Sequence, residues 1–76
     1  MSEQQTPIEI SIPAELLAAD AALAATKLAY YRSAATYDDM RAAAITVLEQ
    51  RRAAEIAKFG KARTTINNLS IAKLLR

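Results

Sequence analysis

The sequence predicts an all-α fold: an antiparallel helical hairpin of two long Ala-rich helices, with a short extended N-terminal arm and a shorter C-terminal helix, assembled as a dimer. Three observations predict it. Alanine, leucine and tyrosine recur three and four residues apart through two stretches of roughly twenty residues, the period of helices with buried faces. Start and stop signals bracket both stretches: Pro13 before the first, Thr36 with Asp38 and Asp39 before the second, and Gly60, the one glycine of the chain, after it. Finally, a chain of 76 residues without cysteine buries only about 60% of its unfolded surface and has no disulfide to make up the shortfall. Association is the remedy left.

Taken in order, residues 1–7 read as a disordered tail and residues 8–76 as one helical domain. Within the domain, Ile8-Glu9-Ile10-Ser11-Ile12 places a β-branched residue at every second position, the period of a strand with one covered face. A lone strand leaves its backbone groups unpaired. Residues 8–12 are therefore either a strand paired with another chain or an extended arm whose isoleucines lie along a helix.

Pro13 suits the first position of helix one (residues 13–34), because its missing N–H would be unpaired there, and Glu15 complements the helix dipole. The wheel of this helix carries two apolar stripes. Leu17, Ala21, Ala24, Leu28, Tyr31 and Ala35 form one; Leu16, Leu23 and Tyr30 form the other, and Asp20 and Lys27 lie between them. Two stripes imply two neighbours. Helix two is one of them, and the Leu16–Leu23–Tyr30 stripe is assigned to a protein partner, with Leu17, Leu28 and Tyr31 completing the candidate interface. The three tyrosines, Tyr30, Tyr31 and Tyr37, are expected as bulky plugs at the wide end of the core.

Thr36 caps helix two (residues 36–59), and Thr36-Tyr37-Asp38-Asp39 approximates a capping box with aspartate in the place of glutamate. Tyr37, Met40, Ala44, Val47, Leu48 and Phe59 line its apolar side, with Ile45 and Ile56 at the margin. Lys58 and Gly60 end it. A short polar link between two helices of similar length makes them antiparallel. A third helix over residues 64–75 puts Ile66, Leu69, Ala72 and Leu75 on one face; Ser70 would cap a shorter version.

Composition removes several function classes. Without histidine or cysteine, the commonest metal ligands and the commonest general base are missing. Asp38 and Asp39 are adjacent, so they point about 100° apart on a helix and read as caps. A single glycine excludes phosphate-cradling loops. We therefore expect no enzyme, no catalytic residues, no metal site, no cofactor and no small-molecule substrate. The N-terminus is polar and acidic, and the run from Ala14 to Ala25 is interrupted by Glu15 and Asp20, so no membrane span and a cytoplasmic location are expected.

Charge is uneven. Residues 1–40 carry a net of −4 and residues 41–76 a net of +6, which offers a basic surface to an acidic partner. The same distribution suits acidic and basic halves that face each other in a hairpin or dimer. Glu55-Ile56-Ala57-Lys58-Phe59-Gly60-Lys61-Ala62-Arg63-Thr64-Thr65-Ile66-Asn67-Asn68-Leu69 resembles a helix-turn-helix, with glycine in the turn and Arg-Thr-Thr-Ile opening the second helix. The resemblance implies that Arg63, Thr64, Thr65 and Asn67 face DNA bases, with Arg51, Arg52, Lys58, Lys61 and Lys73 on phosphates. Ile10-Ser11-Ile12-Pro13-Ala14-Glu15-Leu16-Leu17 is similar to the strand-to-helix entry of ribbon-helix-helix repressors. That likeness implies a dimer; its outward residues, Glu9 and Ser11, carry no positive charge for DNA.

The function expected from these readings is a small interaction protein, an adaptor, inhibitor or regulator of the sort carried by phages and plasmids. It works through helix-face protein–protein contacts, as a homodimer with a macromolecular partner. The alternative is a dimeric DNA-associated regulator that uses the basic C-terminal half.

Overall fold

The structure, a computed structural model, describes residues 13–76. The expected tail (residues 1–7) and the expected strand or arm (residues 8–12) lie outside the described residues. Among those described there are three helices and no strand: α1 (Ala14–Tyr31), α2 (Tyr37–Phe59) and α3 (Asn68–Leu75). The fold is all-α. No helix among the described residues is long and apolar enough to cross a membrane.

Pro13 is the N-cap of α1 rather than its first turn: at φ −56° and ψ 144° it is still extended, and its carbonyl accepts from the amides of Leu16 and Leu17 at 3.0 and 3.1 Å. At the other end α1 stops at Tyr31, short of the expected Ala34. Ser33 takes a left-handed conformation, φ 61°. The Ala34 N–H then donates to the Ala29 carbonyl at 2.7 Å and the Ser33 N–H to the Tyr30 carbonyl at 3.0 Å. This is a Schellman closure without its usual glycine, so no glycine signal marks it in the sequence.

α2 starts on the expected box. The Asp39 N–H donates to Thr36 Oγ1 at 3.1 Å, and the Thr36 N–H donates to Asp39 Oδ2 at 2.9 Å. That backbone bond is the main reason the Asp39 carboxyl is held below its ordinary value. Gly60 ends the helix in the left-handed region, φ 78°, its N–H bonded to the Ile56 carbonyl at 2.9 Å.

The two left-handed closures predict opposite substitutions. A Cβ at Gly60 meets nothing within 4 Å, so Gly60→Ala suffers only the left-handed backbone penalty, about 1–2 kcal/mol. Ser33→Gly removes that penalty and is expected to stabilise by somewhat less, about 0.5–1 kcal/mol, because glycine also loses more chain entropy on folding. Urea unfolding of both variants beside the parent chain measures the two signs.

Among the described residues the core is thin and wholly apolar. Ala19 and Leu23 from α1, Met40, Ala44, Val47 and Leu48 from α2, and Ile71 from α3 are buried, with Leu16, Ala43, Ile45, Leu74 and Leu75 packed half-buried around them. α1 and α3 both pack on α2. Ala19 and Ala44 present only a methyl group at this contact, which lets the helix backbones approach closely.

α3 differs most from expectation. It begins at Asn68, not near Thr64, and residues 60–67 form a non-helical connection. Asn67 is its N-cap: its Oδ1 accepts from the Ser70 N–H at 2.9 Å, and the Asn67 N–H donates to Ser70 Oγ at 3.0 Å. The later start changes the inward face. Ile71 is buried and Leu74 and Leu75 are half-buried, whereas Ile66, Leu69 and Ala72 are exposed.

Candidate interaction surface

The two stripes of α1 point the opposite way from the expected assignment. Leu23 is buried and Leu16 half-buried against α2, so most of the stripe assigned to a partner packs inside the chain. Tyr30 sits at its edge, 37% exposed. The other stripe stays outside: Leu17 is 53% exposed, Leu28 51% and Tyr31 70%, with Ala21 and Ala24 exposed between them. Helix geometry makes both stripes visible in the sequence. Which one α2 covers depends on the turn at residues 32–36 and on the side chains of α2.

This outward face is broad. The exposed residues of α1 are Ala14, Glu15, Leu17, Ala18, Asp20, Ala21, Ala22, Ala24, Ala25, Leu28, Tyr30 and Tyr31, and only two of them are charged. Surface helices of soluble domains ordinarily carry charge opposite their buried stripe, and contiguous apolar patches mark contact sites. At the bend, the tyrosines stack edge-to-face, with ring centroids 5.7 Å apart for Tyr30–Tyr31 and 6.3 Å for Tyr30–Tyr37. The sequence places them inside the core as plugs at its wide end. Instead Tyr31, 70% exposed, and Tyr37, 51% exposed, extend the apolar surface.

The basic half is distributed differently from a recognition helix. Arg63, Thr64 and Thr65 lie in the connection before α3, and Asn67 caps it, so these four residues do not open a helix together. Several are engaged within the chain. Glu55 Oε1 accepts from the N–H groups of Arg63 and Thr64, both at 2.8 Å, and Glu55 Oε2 accepts from the Thr64 hydroxyl at 2.6 Å. Arg52 donates to the Thr64 carbonyl at 2.8 Å. Arg51 and Lys73 line an open groove of about 330 Å³ together with Leu48, Leu69 and Leu74. Lys58, beside the Phe59 ring at 5.5 Å, is exposed together with Lys61 and Arg63 at the end of α2. No group of three carboxylates among the described residues converges on a cation position.

Three polar ties join residues distant in the sequence. Besides the Glu55–Arg52 hold on residues 63–64, Lys27 Nζ donates to the carbonyls of Leu74 and Arg76 at 3.0 and 2.7 Å, placing a cation on the C-terminal end of α3. Arg41 donates to Asn68 Oδ1 at 3.2 Å. No spacing signals these ties, since each joins elements whose proximity only the fold creates.

The three bonds to Glu55 hold its carboxyl below the ordinary glutamate value, the Thr64 hydroxyl contributing most. A carboxyl whose folded pKa is depressed adds stability above its unfolded pKa of 4.5, and that stability is lost as pH falls through the lower folded value. Asp39 acts in the same sense. Stability is therefore expected to be level near neutral pH and to decline through the acid range. Glu55→Gln should be less stable at neutral pH and should flatten that decline. Thermal melts of both chains across the acid range measure it.

Comparison with known protein families, with curated proteins and with solved structures finds no match.

Proposed function

We propose that this chain is a non-enzymatic protein-interaction module whose contact surface is the outward face of α1. The observation that carries the reading is that face itself: Leu17, Ala21, Ala24, Leu28 and Tyr31 stand exposed in line along one helix, on a molecule that can cover little apolar surface with its own core. A rigid helix face with leucine anchors and a terminal tyrosine is a familiar mode of helix-to-helix recognition. The residues expected as contacts thus divide: Leu17, Leu28 and Tyr31 carry the surface, while Leu16 and Leu23 hold the helix that presents it.

A photo-crosslinking amino acid at Ala21, in the middle of the face, should give a discrete protein adduct in growing cells. The same group at Thr46, exposed on α2, should not. Absence of any adduct from position 21 would sink the reading.

A second reading, DNA association, is favoured by one observation, the exposed Lys58, Lys61 and Arg63 at the end of α2. Contacts of that kind are to phosphates and strongly salt-dependent. Fluorescence anisotropy with random duplex DNA at low and moderate salt, on the parent chain and on Lys61→Ala/Arg63→Ala, separates it from the first. Salt-sensitive binding lost in the double variant supports it, and no binding at low salt excludes it.

A further inference from the structure

We infer that the occupant of the outward α1 face is the same face of a second copy, laid antiparallel so that Leu17 of each chain meets Leu28 of the other. The inference rests on the interaction reading above and names its partner.

The face is self-complementary when reversed. Its line of residues, Leu17, Ala21, Ala24 and Leu28, has spacings of four, three and four, the seam pattern of paired helices. In the antiparallel register, Leu17 packs on Leu28 of the second copy, Ala21 on its Ala24, Ala24 on its Ala21 and Leu28 on its Leu17. One turn further, Tyr31 lies over Ala14 of the second copy, a large side chain on a small one. Alanines at the centre bring the backbones together, and the leucines at either end close the seam.

A parallel pairing fits less well. It sets Tyr31 against Tyr31 beside a seam narrowed by alanine. It also aligns the two helix dipoles, which the antiparallel arrangement opposes.

The flanks agree. On one side, the residues that face each other across the antiparallel seam are Ala18 and Ala25, both exposed and small. On the other side they are Asp20 of one copy and Lys27 of the other, opposite charges that recur twice by symmetry. Lys27 already donates to the carbonyls of Leu74 and Arg76. An ammonium group has three N–H donors, so one remains for the Asp20 carboxylate. The same lysine would then tie α3 to the dimer seam.

The area is adequate. An 18-residue helix is roughly 27 Å long. Pairing two along their length at about 8–10 Å between axes removes on the order of 1,000 Å² from water over both copies, near the lower limit for a specific interface. Much of the exposed area of Leu17, Leu28 and Tyr31 is covered in doing so.

The test uses the full chain in solution. Its mass by sedimentation equilibrium should be twice the 8.3 kDa of one chain. Leu17→Glu alone and Leu28→Lys alone should each halve that mass while keeping their helical circular dichroism, since both positions are half exposed. Mixed in equal amounts, the two variants should recover the dimer, because one seam layer now pairs glutamate with lysine and its symmetry mate keeps leucine on leucine.

The chain has no cysteine, so orientation can be read by disulfide formation: Leu17→Cys should crosslink to Leu28→Cys and not to itself. A single-chain mass for the parent protein overturns the inference, as does a dimer that both charge variants leave intact, or a Leu17→Cys chain that crosslinks to its own kind. The adduct from position 21 keeps this result apart from the broader reading. An adduct of twice the chain mass supports the second copy. An adduct with a different protein leaves the interaction module standing and removes the second copy.

Discussion

Leu48→Ala is expected to destabilise the fold by about 2–5 kcal/mol, the usual cost of emptying a leucine site that cannot collapse. Leu48 is 2% exposed and belongs to a core that, among the described residues, has seven buried side chains drawn from α1, α2 and α3. A domain of this length has a total stability of roughly 4–11 kcal/mol, so one truncation removes a large part of it. Collapse onto the cavity is hindered because α2 packs on both other helices in one cluster, with Ala19 and Leu23 of α1 and with Ile71 of α3. Urea unfolding followed by circular dichroism should show a lower midpoint with an unchanged slope. A loss below about 1 kcal/mol would mean that α3 moves in to fill the space, and that the ties from Lys27, Arg41 and Arg52 do not hold it.

Leu23→Glu is expected to unfold the chain, whereas Leu28→Glu should leave the folded chain intact and abolish its interaction. The two residues lie five apart on the same helix, yet Leu23 is 7% exposed and Leu28 is 51%. At Leu23 the substitution removes a buried leucine, about 2–5 kcal/mol, and adds a carboxylate to an apolar core cluster, where the described residues offer no buried polar group to receive it. At Leu28 the carboxylate stays in water when the chain is alone and is buried only when a partner covers the face. Circular dichroism reads the first effect, and crosslinking from Ala21 reads the second. Loss of helicity in Leu28→Glu would show that the outward face is needed for folding, as expected when folding and association are one process.

The sequence was informative where a signal is local. The box at Thr36–Asp39 and the stop at Gly60 are written in a few neighbouring residues, and both ends of α2 fall where those residues put them. The end of α1 was not legible, because Ser33 closes it in a conformation that glycine usually signals. The start of α3 was displaced for a different reason. Thr64 and Thr65 are acceptable near a helix start, but Glu55 and Arg52 bind the Thr64 amide, hydroxyl and carbonyl and hold that stretch out of the helix until Asn67 caps it. The helix-turn-helix resemblance depends on those same residues being helical.

The all-α class and the two apolar stripes of the first helix, which imply two neighbours, are legible in the residue pattern alone. Periodicity and capping act within a few residues, so they can be read without knowing what lies opposite. That Leu16 and Leu23 turn inward, and Leu17, Leu28 and Tyr31 outward, is a property of the folded chain. A helical wheel fixes the angle between two stripes but not the direction of either. That direction is set by the five-residue turn between α1 and α2 and by contacts among Ala19, Leu23, Ala44, Val47 and Ile71, which are far apart in the chain and meet only once it has folded.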